Sequence, residues 1–372
     1  MTVSEMIQAR QLPALLDREK MVDLLLEDEY GRIPEIPYEI SVSEPELVES
    51  RYCNDTVQHS TVNFTVTTQY GSHTIPVQRI LHVDGSVNPF FVFLNFRPQV
   101  PDRSYPTEEI GENGFDVLNI HYTDIASDDD DFTNGLAGIF LPDGKRKNND
   151  CSKVALWAWF ACRVLDYAQT LPSLDKGQAA VLGASRLGKT ALVAGMTDTR
   201  FRYVFSSVSG CSGAALARGN SGNAAQENYK METIFEGDRD MTKGETIRFI
   251  VKSFPYFSCR NYHKYITTNI PDDYDQHFLM ATIAPRFVYI ASASKDYWAD
   301  PTSEFLGGVA ASPAYEKLGY KGLIHNEKLP EPGEHFHEGR IGYHLREGSH
   351  FLSRRDWLEF MTYIRKHQND KL

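Results

Sequence analysis

An α/β fold built on a mostly parallel sheet covered by helices on both faces is what this sequence predicts, and three observations carry the prediction. From residue 90 onward, short continuously apolar segments alternate with helical stretches, the rhythm of strands buried on both faces by crossover helices. Before residue 90 the pattern is apolar–polar alternation broken by turn residues, which reads as antiparallel strands at one edge. With 372 residues, 41% of them apolar, and neither a repeat nor a low-complexity linker, the chain can bury one large core. A single domain over residues 1–372 is expected, with residues 1–89 supplying an N-terminal helix and the edge strands.

The elements follow in order. Residues 11–30 read as an amphipathic helix stopped by Gly31 and the prolines of "YGRIPEIP". "YEISVSE", "STVNFTVTTQY" and "IPVQRILHV" are the alternating strands. "FFVFLNF" and "FDVLNIHY" open the buried sheet, "KVALWAWFACRVLDYAQTL" is a long apolar-faced helix, "QAAVLG" the next strand and "RLGKTALVAGM" the next helix. After "YVFSSVSG", residues 211–283 are rich in Asn, Gly, Tyr and Phe and read as loops and helices over the top of the sheet. "RFVYIASA" is a buried strand, a helix is expected near 312–318, "RIGYHLRE" is the last strand, and "RRDWLEFMTYIRKH" closes the chain.

Composition removes several function classes. A net charge of -12, from 38 basic and 50 acidic residues with no basic run, repels a phosphate backbone, so nucleic acid is not an expected partner. No segment approaches the ~20 apolar residues of a membrane span. Charges at Glu5, Arg10, Asp17 and Arg18 break any secretory signal, so the chain as written reads as cytoplasmic; one trimmed of a leader would read the same. Cys53, Cys151, Cys162, Cys211 and Cys259 are scattered without a C-x-x-C pair, and read as small apolar residues rather than a zinc or disulfide framework. "SDDDDF" (127–132) lacks the ligand spacing of a calcium loop and reads as solvated. "EHFHEG" (334–339) has an i, i+2 histidine spacing unlike H-E-x-x-H and reads as a surface loop. No metal or cofactor is expected.

The stretch "AAVLGASRLGKTALVAG" (179–195) has two readings. Gly183 to Thr190 spell G-x-x-x-x-G-K-T, a phosphate-binding loop, with Asp296 available as the later acid that loop requires. The same residues place Ser185 between a strand and a helix, where a hydrolase keeps its nucleophile and the helix N-terminal amides face a developing oxyanion. A phosphate loop usually follows the first strand of its domain, whereas this one lies mid-chain, and that favours the nucleophile elbow. Leu187 stands where G-x-S-x-G has its second glycine, with Gly188 one later. A plainer role for Ser185 is to cap the helix beginning at Arg186.

An α/β-hydrolase supplies its triad in the order Ser, acid, His from the ends of successive strands. "RFVYIASASKDYWADP" delivers Asp296 with Asp300 as its rival, and "RIGYHLREGSHFL" puts His350 in a turn after the last strand. The expected roles are Ser185 as nucleophile, His350 as general base and Asp296 as the orienting acid. The Arg186 N–H, with one from the loop near Phe96 and Arg97, would bind the oxyanion.

"GASRLGKTALVAG", "SVSGCSGAAL", "SFPYFSC", "DQHFLMATIAPR", "DYWADP" and "YHLREGSH...DW", in that order over roughly residues 110–365, together resemble the bacterial glucuronoyl esterases of carbohydrate esterase family 15. The resemblance implies a serine hydrolase that cleaves esters of 4-O-methyl-glucuronic acid, the xylan side group linked to lignin alcohols. It implies an oxyanion-assisting role for Arg186, sugar contact for Lys189, and packing of Trp298 on the sugar. His277, in the family's "DQHF", is expected to order loops above the sheet. Two departures are visible. Many members carry a triad Glu where this chain has Val208, which moves the role to Asp296, and the fungal members' cysteine bridge falls on Ala184 and Phe351. The rival functions are an acetyl-xylan or sugar O-acetyl esterase, a nucleotide-binding protein, and a catalytically silent carbohydrate-binding module.

Overall fold

Eleven strands hydrogen-bond into one sheet in the computed structural model, which describes residues 1–220 and 244–372. The strands are β1 (Tyr38–Val42), β2 (Glu46–Tyr52), β3 (Val57–Thr68), β4 (Gly71–His82), β5 (Asn88–Asn95), β6 (Asp116–His121), β7 (Leu174–Ala184), β8 (Tyr203–Ser207), β9 (Phe287–Ala293), β10 (His335–Phe336) and β11 (Ile341–Arg346). Their spatial order is β1-β3-β4-β6-β5-β7-β8-β9-β11-β10, with β2 paired to β3 off that path. From β6 to β11 every pairing is parallel. The edge pairs β1–β3, β2–β3, β3–β4 and β4–β6 are antiparallel. This is the α/β-hydrolase arrangement, with the antiparallel strands at the N-terminal edge.

The period-2 geometry of a strand explains the apolar runs. Along β5, Phe90, Val92 and Leu94 join one core, beneath the helices Lys153–Ala168 and Arg186–Thr197, while Phe91 and Phe93 join the other. On that second face the closing helix Arg354–His367 inserts Trp357 between Phe91 and Phe93, each 5.1 Å away and nearly perpendicular. The indole N–H donates to the Ser104 carbonyl (2.8 Å), tying the loop after β5 to this helix.

Several elements depart from expectation. The N-terminal helix does not run over 11–30: residues Val3–Ala9 form one helix, capped reciprocally by Thr2 and Glu5, and Arg18–Leu25 a second that continues as a π-turn to Tyr30. Pro13 and Gln11, at φ 49°, break the chain between them. The helix expected near 312–318 spans Pro301–Glu316; Asp300 caps it and Pro301 occupies its first turn, a start that the pair Gly307–Gly308 obscures in the sequence. Strand β2 is largely exposed and so has no alternation to read. Of residues 211–283, the described part above the sheet includes the helix Ile247–Ser253 and short turns, while 221–243 lie outside the described residues. Among the described residues no helix is long and apolar enough to cross a membrane.

Trp357→Ala removes a fully buried indole and its hydrogen bond, and is expected to cost about 3–5 kcal/mol, read as a lowered midpoint in denaturant unfolding. A change under ~1 kcal/mol would mean that this face collapses around the gap.

Candidate active site

Ser185 sits at the end of β7 with φ 56° and ψ -127°, a conformation that L-residues rarely adopt and that costs about 1–3 kcal/mol. Neighbouring contacts hold it there. The Ser185 N–H donates to the Ser207 carbonyl of β8 (2.8 Å), and the Ser185 carbonyl accepts from the Gly188 N–H (2.9 Å). Gly183 has no room for a side chain, because a Cβ there would collide with the Leu187 carbonyl. A Cβ on Gly188 would lie 3.0 Å from both the Ser207 carbonyl and Ser209 Cβ, so the glycine shifted by one position lets the helix lie against β8. Leu187 is buried in the core, and the Ser185 side chain makes no capping hydrogen bond to the helix. Arg186 is the first helical residue, where the backbone N–H has no intrahelical partner.

Ser185, Arg186 and His350 line one cavity of about 250 Å³ together with Phe96, Arg97 and Val208. His350 Nδ1 lies 2.7 Å from Asp296 Oδ2, and Asp296 is fully buried, its other oxygen accepting from the Ala299 N–H (3.3 Å). The loops after β9 and β11 are stitched together by Ser294 N–H to the Arg346 carbonyl (2.9 Å) and Lys295 N–H to the Gly348 carbonyl (2.8 Å), which brings the acid and the imidazole together. Asp300 is occupied elsewhere: it caps the following helix, accepting from the Ser303 N–H (3.0 Å) and hydroxyl (2.7 Å). Burial alone would lower the His350 pKa, but the Asp296 hydrogen bond and charge, aided by Glu245, raise it above the ordinary 6.5.

Lys189 is buried, its ammonium donating to the Ser209 carbonyl and to Glu245 Oε2 (3.2 Å). The other oxygen of Glu245 accepts from the Trp298 indole (2.6 Å), and the partly exposed Trp298 packs edge-on against Phe249 at 4.5 Å. Glu245 and Lys189 both act on the His350 charge, so this network lies beside the imidazole. A phosphate-binding loop would keep this lysine free for its anion; here a carboxylate and a carbonyl hold it. The Arg186 guanidinium pairs with Asp128 and lies over the rings of Phe254 and Phe257, 5.1 and 5.0 Å from their centroids. Asp128 also accepts from the hydroxyls of Tyr122 (2.7 Å) and Tyr256 (3.1 Å), so within "SDDDDF" this residue is a built partner rather than a solvated charge.

Two more expectations are corrected. His277 does not order the loops above the sheet; its Nε2 meets the Pro13 carbonyl (3.0 Å) and holds the N-terminal segment. "EHFHEG" is not simply a surface loop, because His335–Phe336 form β10 and His337 is buried. The Arg97 N–H, one of two suggested oxyanion donors, is already directed to Asn95 Oδ1 (3.3 Å). Sequence reasoning missed Glu245 and Asp128 as members of the site. Glu245 stands alone in "KGETIRF", and Asp128 is one of four adjacent aspartates, so neither carries a local pattern.

Fold and site thus have the arrangement of the α/β-hydrolases. The family model described as "Glucuronyl esterase, fungi" matches residues 55–319, and the chain belongs to the glucuronyl esterase family. It is 37% identical over 256 residues to the carbohydrate esterase MZ0003 of an unknown prokaryotic organism, covering 68% of this chain and 54% of that one. It is 28% identical to the 4-O-methyl-glucuronoyl methylesterase of Schizophyllum commune over 243 residues, 64% of this chain and 56% of the relative. The chain therefore spans about half the length of the curated relatives it matches. Among solved structures, the glucuronoyl esterase from Solibacter usitatus superposes with a TM-score of 0.79 at 25% identity, over 94% of this chain and 91% of that one. A promiscuous carbohydrate esterase family 15 enzyme from a marine bacterial metagenome gives 0.77 at 29%, with the same coverage.

Asp296→Asn is expected to lower kcat about 10³–10⁴-fold, and Asp300→Asn to leave kcat and stability nearly unchanged, since asparagine caps a helix about as well as aspartate. The reverse ranking would reassign the acid. A general base works in its neutral form, so with His350 in that role kcat/KM is expected to fall as pH drops through its pKa, which is raised above the ordinary 6.5. In Asp296→Asn the residual activity should show this fall moved to lower pH.

Proposed function

We propose that this chain is a serine carboxylic-ester hydrolase acting on glucuronate esters, with residues 1–372 working as one α/β-hydrolase unit. The observation that carries the reading is the strained Ser185 sharing a cavity with a His350–Asp296 pair, in a chain of the glucuronyl esterase family. Ser185 Oγ attacks the C6 carbonyl of the uronate as His350 takes its proton. The Arg186 N–H, at the free start of its helix, stabilises the oxyanion. His350 then protonates the departing alcohol and next activates the water that releases glucuronic acid from Ser185. Asp296 keeps the imidazole in the tautomer that presents Nε2 to the serine.

Support for a sugar acid over a simple acyl group comes from the wall beside the base. Lys189 and Glu245 form a hydrogen-bonded row that fixes the partly exposed indole of Trp298 near His350, an apolar face that suits a pyranose ring. Arg97, Arg103 and Arg186 line the same cavity as Ser185 and favour the negative charge that appears on the product. The relatives named 4-O-methyl-glucuronoyl methylesterase point to esters of 4-O-methyl-glucuronic acid on xylan-derived saccharides as the substrate class.

Initial rates on methyl or benzyl glucuronate, set beside an acetylated xylo-oligosaccharide, test this reading. Faster glucuronate release, lowered by several orders of magnitude in Ser185→Ala, is the expected result. A preference for the acetyl ester would keep the triad and move the function to deacetylation, while near-wild-type turnover in Ser185→Ala would remove the serine mechanism.

A further inference from the structure

At the sheet edge opposite β1, the histidines of "EHFHEG" are brought together with a residue far away in sequence. His335 lies on β10 and His337 just past its end, and their rings stack at 4.5 Å between centroids with an 18° tilt. The i, i+2 spacing that fails on a helix here brings two imidazoles together at the end of a strand. Glu359, from the closing helix Arg354–His367, completes the group: its Oε2 lies 3.4 Å from His335 Nδ1 and 3.4 Å from His337 Nε2. One donor atom from each residue falls within 4.8 Å of the others.

Those separations are informative. At 3.4 Å the two contacts exceed the 2.7–3.2 Å range of N–H···O hydrogen bonds. They fall within the edge lengths of a tetrahedron about an ion with N and O ligands at about 2.0–2.2 Å, whose vertices lie about 3.3–3.6 Å apart. We propose that His335, His337 and Glu359 bind a divalent transition-metal ion of the zinc class, with water in the fourth position.

The surroundings suit it. Glu359 Oε1 is turned toward Arg355 Nε at 3.7 Å, and the His337 carbonyl accepts from His367 Nε2 (2.8 Å), contacts of the kind that orient ligands. His337 Nε2 also meets the Tyr289 hydroxyl (2.7 Å), and on metal binding that hydroxyl keeps His344 Nδ1 (3.0 Å) as its partner. His335, 56% exposed, gives the ion a way in, whereas His337 and Glu359 are 5% and 13% exposed and provide a dry floor. Two imidazoles and one carboxylate favour zinc over magnesium or calcium, which prefer all-oxygen sites. The bound ion clamps the edge strand β10 to the closing helix, which starts just after the His350 turn.

The test is equilibrium dialysis of the full chain with Zn²⁺, with Mg²⁺ as comparison, on wild type, His335→Ala and Glu359→Gln. His335 is exposed and Glu359→Gln keeps its shape, so both variants should fold; circular dichroism checks this. The expected result is one Zn²⁺ per wild-type chain, no Mg²⁺ uptake, and affinity weakened at least about tenfold in each variant. Zn²⁺ should also raise the Tm of wild type more than that of either variant. Equal zinc uptake by wild type and both variants, whether substantial or nil, would overturn the proposal.

Discussion

The site depends on one strained residue. Ser185 is held at φ 56° between β7 and its helix, and the strain is sustained by contacts on both sides: a ladder bond to β8 before the turn, and a helix that lies flush on the sheet after it. The side chain is thereby lifted out of the β7 ladder into a cavity, next to the Arg186 N–H at the start of the helix. The shifted glycine makes sense in these terms. The fold needs the absence of a side chain where the helix meets Ser207 and Ser209, and in this chain that point falls on Gly188.

Around this serine, charges are set in matched pairs. Asp296 faces His350, Glu245 faces Lys189, and Asp128 faces Arg186. A buried charge without a partner is expensive, so each pair supports the next: Glu245 also anchors Trp298, and Asp128 also gathers Tyr122 and Tyr256. The proposed sugar substrate would meet groups already oriented, with little new ordering required.

The parallel strands and the elbow were legible because apolar runs and the G-x-S turn have local causes. So were Asp296 and His350, which lie just past buried strands in the order the fold demands. The sequence already favoured Asp296 over Asp300, but the loop-to-loop bonds between β9 and β11 that bring it to His350 are encoded by no spacing. Glu245 and Asp128 were invisible for the same reason, since each acquires meaning only from a partner far away in sequence. The exposed β2 and the glycine-interrupted helix Pro301–Glu316 failed through weak periodicity, and the N-terminal helix failed because Pro13 outweighs an amphipathic pattern.

The central claim is that Ser185 becomes covalently acylated. Acid-quenching the protein during turnover of a glucuronate ester, followed by peptide mass mapping, addresses it directly. The account predicts a glucuronoyl adduct on the peptide bearing Ser185, absent in Ser185→Ala. An adduct on a different residue would contradict it.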